Sequence, residues 1–166
     1  MRLMYPSSKK KALERYEELW NTTRPELTNV YRCLDFIATQ KTNLEKHLNK
    51  QLGKLYHRNL SVCFYDVTTY YFESVEPDEL KRFGYSKDNK VNQVQVVMGL
   101  LIDDHGIPIS YELFPGNTND FKTLEPIMQK LKEEYGITKI TITADRGLNS
   151  KSNLQKIREL GYDYVM

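Results

Sequence analysis

The stretch "SVCFYDVTTYYFES", residues 61–74, is a run of β-branched and aromatic residues interrupted by one carboxylate, Asp66. Such residues favour strands because they pack well on a pleated, half-buried surface. Alternation along "LSVCFYDV" (60–67) sets Val62, Phe64 and Asp66 on one face. A carboxylate among apolar neighbours needs a partner, because burying a lone charge costs more than a strand gains. What that partner is decides how the rest of the chain is read.

Period-two patterning continues downstream. "QVQVVMGLLI" (93–102) is a second strand, with Val94, Val96, Met98, Leu100 and Ile102 on one face. "DDHG" (103–106) reads as a hairpin turn in which Gly106 supplies positive φ. "IPISYELF" (107–114) returns antiparallel, and "PGNTND" (115–120) is a loop offering a helix cap at Asn119 or Asp120. A helix follows, with Leu124, Ile127, Met128, Leu131 and Tyr135 on one side and Gly136 as its stop. "TKITIT" (138–143) is a fourth strand, Ile140 and Ile142 facing one way, and "ADRGLNS" is the polar loop at its end. Ser150 caps a last amphipathic helix, with Leu154, Ile157 and Leu160 in register and Gly161 ending it. "YDYVM" starts a fifth strand. The order β-β-β-α-β-α-β predicts an α/β fold: a mixed sheet with helices packed on it.

Residues 1–58 read as a separate helical segment ahead of this body, 59–166. Ser7 or Ser8 caps a helix carrying Leu13, Tyr16 and Trp20, and Pro25 breaks it. A second helical stretch repeats Leu44, Leu48, Leu52 and Leu55, a stripe too short for a zipper and expected to be core. The charge is uneven. Residues 1–60 hold 12 Lys/Arg against 6 Asp/Glu, and residues 61–166 hold 12 against 16. A basic part on an acidic body can suit a nucleic-acid partner, although on charge alone a solvated helical face is the favoured reading. The 166 residues contain no apolar run of membrane-spanning length and no secretory h-region. Cys33 and Cys63 have no metal spacing, lie in apolar contexts and are expected to be buried thiols, which points to a reducing cytoplasm. His47, His57 and His105 are scattered and define no zinc site.

Two aspartates stand out by position. Asp66 lies on the first strand and Asp145 just past the fourth. In this strand order the fourth commonly packs beside the first, so both carboxylates reach one sheet edge. Held close, two carboxylates repel unless a cation lies between them. Mg²⁺ or Mn²⁺ resolves the conflict through oxygen ligands, and a two-ion arrangement suits phosphodiester displacement. Each residue alone also fits an ordinary role: Asp145 is followed by Arg146 and Gly147, a turn with a local ion pair.

"YDVTTYYFES" with "GYSKDNK", then "PGNTND", then "TADRGLNSKSN", resembles the catalytic core of DDE transposases of bacterial insertion sequences, most closely the insertion-sequence-four-like group. The likeness spans roughly residues 60–166, with four blocks in order. It implies a ribonuclease-H-like fold, with Asp66 and Asp145 as the first two metal-binding acids and use of two Mg²⁺ or Mn²⁺ ions in the complete site. It further implies double-stranded DNA as partner, both transposon ends and target, and a homo-oligomer at full length in a bacterial or archaeal cytoplasm, associated with the nucleoid. The family's third acid is a glutamate on a helix after the fifth strand, in a Tyr-Arg-Glu-Lys context. Glu159 and Asp163 come too early to match it, so the chain is expected to be incomplete at its C-terminus.

The resemblance also bears on DNA contact. Lys81, Arg82, Lys87 and Lys90 surround Phe83 and Tyr85, a mixture able to grip phosphates and stack on bases. Tyr85, Asn117 and Arg146 join the four basic residues as DNA-binding candidates, although capping is the simpler role for Asn117 and Asn119. The basic stretch Lys41 to Arg58 is a further candidate. The expected function is DNA transposition by metal-dependent cleavage and strand transfer. Two alternatives stay open: a catalytically incomplete DNA-binding or oligomerisation module, and another ribonuclease-H-like nuclease.

Overall fold

The computed structural model describes residues 5–18, 23–56, 58, 60–84, 93–144 and 148–165. The chain divides into two compact units, Met1–His47 and Leu48–Met166. In the first, α1 (Lys9–Glu14) starts at Ser8, whose hydroxyl accepts from the Lys11 N–H. It runs into a short 3₁₀ turn, Tyr16–Glu18, and Leu13 is buried. Trp20 lies outside the described residues. After Pro25 come α2 (Leu27–Thr39) and α3 (Lys41–Tyr56), where one helical stretch was expected. Gln40 leaves helical geometry between them.

Two expectations for these helices are corrected. Leu44, Leu48 and Leu55 are exposed, Leu55 by 69%, so the leucine stripe is not core. Heptad-like spacing reports only that leucines share a face, and says nothing of what covers it. Cys33 is likewise exposed, while Cys63 is buried.

The second unit holds one five-stranded sheet: β1 (Val62–Phe72), β2 (Val94–Asp103), β3 (Pro108–Pro115), β4 (Thr141–Ala144) and β5 (Asp163–Val165). Their spatial order is β3-β2-β1-β4-β5. β1–β2 and β2–β3 pair antiparallel, and β1–β4 and β4–β5 pair parallel. This is the mixed, ribonuclease-H-like order expected. Hairpin-linked strands give the antiparallel half, and the crossovers through α4 (Leu124–Tyr135) and α5 (Lys151–Glu159) give the parallel half. Gly106 and Gly136 adopt φ of 76° and 65°, closing the β2–β3 turn and ending α4. Ser150 caps α5 by accepting from the Asn153 N–H. Asn119 instead caps a 3₁₀ turn, Asp120–Lys122, and its side chain makes no cap bond; Thr123 stands at the start of α4.

The core lies on one face of the sheet. Cys63, Tyr65, Leu101, Ile109, Ile140 and Ile142 meet Leu124, Ile127, Met128 and Leu131 of α4 and Ile157 of α5. Lys130 of α4 also reaches Glu112 of β3 at 2.6 Å. Tyr65 is wedged tightly into this core. Its hydroxyl donates to Thr123 Oγ1 at 2.8 Å, and the Thr123 hydroxyl donates to the Asp120 carbonyl at 2.6 Å. A Cβ at Gly99 would sit 2.1 Å from the Tyr65 hydroxyl, so only glycine fits beneath that ring. Gly99→Ala is expected to destabilise the sheet unit by about 1–3 kcal/mol, the usual cost of overpacking. The double variant Gly99→Ala/Tyr65→Phe should cost less than the sum of the two singles in urea unfolding, because the clashing oxygen is gone. Strict additivity would contradict this packing.

Candidate active site

Strand alternation puts Asp66 on the sheet face opposite the core. Tyr65 is 2% exposed and Phe64 is 42% exposed, so successive residues of β1 point to opposite sides. Asp66 lies level with Leu100 of β2, and Phe64 with Ile102. On its other flank β1 runs beside β4, with Phe64 level with Thr143 and Tyr65 with Ala144. Phe64, Asp66, Leu100, Ile102, Thr143 and Ala144 thereby line an open hollow of ≈ 340 Å³. β1 extends to Phe72, five residues further than expected, so Asp66 is mid-strand rather than near the strand's end.

Among the described residues, the Asp66 carboxylate accepts no hydrogen bond and joins no ion pair. It is exposed, flanked by apolar side chains, and its oxygens are available. That donor chemistry suits a hard divalent cation, which takes carboxylate oxygens together with water and substrate oxygens. Ala144, the residue before Asp145, is level with Tyr65, the residue before Asp66. Asp145 and Arg146 themselves lie outside the described residues, as do Tyr85, Lys87 and Lys90.

A second group of possible ligands proves to be structural. Ligand atoms of Asp103, Asp104 and His105 all lie within 4.8 Å of one another. The Asp103 carboxylate is already satisfied. Oδ1 accepts from the His105 and Ile107 N–H groups at 3.0 and 2.8 Å, and Oδ2 accepts from Arg58 Nε. The Arg58 guanidinium also reaches Asn49 Oδ1 and the carbonyls of Ile107 and Pro108. Asn49 Nδ2 donates in turn to the Ile109 carbonyl. Arg58 supplies the positive charge that a metal would bring, and Asp103 faces the core side of the sheet, away from Asp66. This cluster ties the end of α3 to the β2–β3 hairpin. Arg58, expected within a DNA-contacting stretch, is buried here and does not face solvent. "DDHG" signals only its turn, because the arginine that completes it lies 45 residues earlier.

The described DNA-contact candidates gather at the far end of β1. Gln95 pairs with Tyr71, five residues beyond Asp66, or about 16 Å along the strand at ~3.3 Å per residue. There Arg82 exchanges backbone hydrogen bonds with Gln95 at 3.1 and 2.9 Å. Arg82 and Asn117 are exposed. Lys81 is engaged instead, its Nζ 3.2 Å from Asp78 Oδ2.

A family model described as "Transposase DDE domain" matches residues 57–166. The chain belongs to the DDE transposase family. No curated protein matches it in sequence. Among solved structures, it is similar to the Mos1 transposase paired-end complex with left transposon end, at 12% identity and TM-score 0.43, over 98% of this chain and 52% of that one. The Mos1 strand transfer complex matches at 14% identity and TM-score 0.44, over 99% and 51%. The catalytic domain of Mos1 mariner transposase matches at 13% identity and TM-score 0.42, over 76% and 60%. The chain thus spans about half the length of the Mos1 chains in the two complexes. Among the described residues, no helix is long and apolar enough to cross a membrane.

Proposed function

We propose that the chain is the metal-holding core of a transposase of the insertion-sequence-four-like group, which cuts double-stranded transposon-end DNA and joins the freed end to target DNA. The observation that carries this reading is the parallel β1–β4 register, which sets the residues preceding Asp66 and Asp145 side by side. Asp66 and Asp145 would hold Mg²⁺ or Mn²⁺, as two ions in the complete site. When bound, such ions stabilise charge on the reacting phosphodiester and lower the pKa of the attacking water. The chain's part is orientation. Asp66 is fixed from the centre of the sheet, and Phe64, Leu100 and Ile102 border the hollow it faces. Arg82 and Asn117 hold the DNA, and Lys81 follows where Asp78 releases it. The protein works as a homo-oligomer on paired ends, in the cytoplasm of a bacterium or archaeon.

The test is a nicking assay on labelled end DNA with Mn²⁺ and with a chelator, beside mobility shifts at several salt concentrations. Nicking that requires Mn²⁺ and binding that weakens steeply with salt are the expected results. Salt-sensitive binding that leaves the DNA intact in Mn²⁺ would overturn the catalytic reading in favour of a binding module. Cleavage of an RNA–DNA hybrid in preference to duplex DNA would favour another nuclease.

A further inference from the structure

We propose that Gly84 and Gly116 weld two separate loops into one rigid DNA-backbone grip carrying Arg82 and Asn117, an inference that rests on the DNA-cutting reading above. A Cβ at Gly84 would lie 2.0 Å from the Gly116 carbonyl oxygen and 2.4 Å from Gln95 Nε2. A Cβ at Gly116 would lie 2.0 Å from the Gln95 carbonyl oxygen and 2.4 Å from that of Arg82. Neither glycine has positive φ, so space and not backbone conformation demands glycine at both positions. The two positions lie 32 residues apart in sequence and meet backbone to backbone.

Hydrogen bonds complete the weld. Gln95 Nε2 donates to the Gly116 carbonyl at 2.7 Å, and the Gly116 N–H donates to the Leu80 carbonyl at 3.0 Å. The reciprocal Arg82–Gln95 bridge anchors the first loop to β2. Gln95 is buried, so these bonds are shielded from water. Surface loops ordinarily move independently. Here the segment around Arg82 and the loop after β3 can move only together.

The surface this produces suits a phosphodiester chain. A guanidinium presents a planar fork matched to phosphate oxygens, and an asparagine amide adds a neutral donor beside it. Phe83, the next residue, is 47% exposed and adds an aromatic ring to the same loop. Because the backbone under Arg82 is bonded on both sides of its peptide unit, less freedom is lost when the side chain engages.

The test uses the full chain and a labelled duplex of mixed sequence, with fluorescence anisotropy over a salt series. Arg82→Ala should weaken binding about tenfold and reduce the salt slope by about 1. Gly116→Ala should reproduce that loss with Arg82 still present, and Arg82→Ala should then cost little more in the Gly116→Ala background. A merely structural role for the glycine would lower thermal stability but leave the salt slope intact. If Gly116→Ala does not fold by circular dichroism, Gln95→Met replaces it in the same cycle, since it removes the bond to Gly116 without adding an overlap. Additive losses, or a wild-type slope in the glycine variant, overturn the proposal. So does an Arg82→Ala chain that binds as wild type does. Mn²⁺-dependent nicking by the unaltered chain reports on the catalytic reading separately.

Discussion

Asp66→Asn is expected to lower Mn²⁺-dependent DNA cleavage by about 10²–10³-fold while leaving DNA affinity within about threefold of wild type. Asparagine keeps the shape and one oxygen but loses the charge that holds a divalent ion. The Asp66 side chain is exposed and unpaired among the described residues, so its replacement should cost little stability. Arg82 lies at the far end of β1, about 16 Å away along the strand, so binding through it should persist. Thermal unfolding with and without Mn²⁺ supplies a second readout, because an ion that binds only the folded chain raises its midpoint. The wild-type chain should show that rise and the variant should not. Asp145→Asn should behave in the same way. Cleavage retained at wild-type rate in either variant would remove that residue from the site.

Arg58→Met is expected to destabilise the sheet unit by about 3–5 kcal/mol, the usual cost of removing one partner of a buried ion pair. Methionine fills much of the arginine's volume, so the loss comes mainly from the charge left on Asp103, whose side chain is fully buried. Urea unfolding followed by near-UV circular dichroism reports on this unit through the buried Tyr65 and Tyr162. The same pair sets an acid dependence. Burial alone would raise the Asp103 pKa, but the Ile107 N–H, the Arg58 guanidinium and the His105 N–H outweigh it and hold the carboxyl below its ordinary value. A carboxyl with a depressed folded pKa adds stability that is complete above its unfolded value and is lost as pH falls through the folded one. Wild-type stability should therefore drop on acidification below about pH 4, and the gap to Arg58→Met should narrow. An Arg58→Met chain as stable as wild type at neutral pH would refute the buried-pair account.

Local signals proved readable wherever a residue's own chemistry decides the matter. Ser8 and Ser150 cap helices because a hydroxyl beside the first turn satisfies an otherwise orphaned N–H. Gly106 and Gly136 close a turn and a helix because the left-handed region is cheap only without a Cβ. Period-two alternation placed Phe64 and Asp66 on one face, and that face is the open one. Features that depend on distant partners were not legible. Asp103 read as part of a turn because Arg58 lies far back in the chain. Gly84 and Gly116 read as loop residues because their contact exists only once β2 and β3 have paired. The leucine stripe of α3 read as core because spacing reports a shared face without reporting its neighbours.

The sequence by itself determined the order of the strands, the side of β1 that carries Asp66, and the family to which residues 57–166 belong. These follow from side-chain period, turn chemistry and motif order, all of them short-range properties. Only the tertiary structure decided the register of β4 against β1, with Ala144 level with Tyr65. It alone showed that Asp103 is neutralised by an arginine rather than a metal, and that two loops meet through paired glycines. The physical reason is common to all three. Pairing register, burial of charge and backbone contact are fixed by residues distant in sequence, whose proximity arises only when the sheet forms.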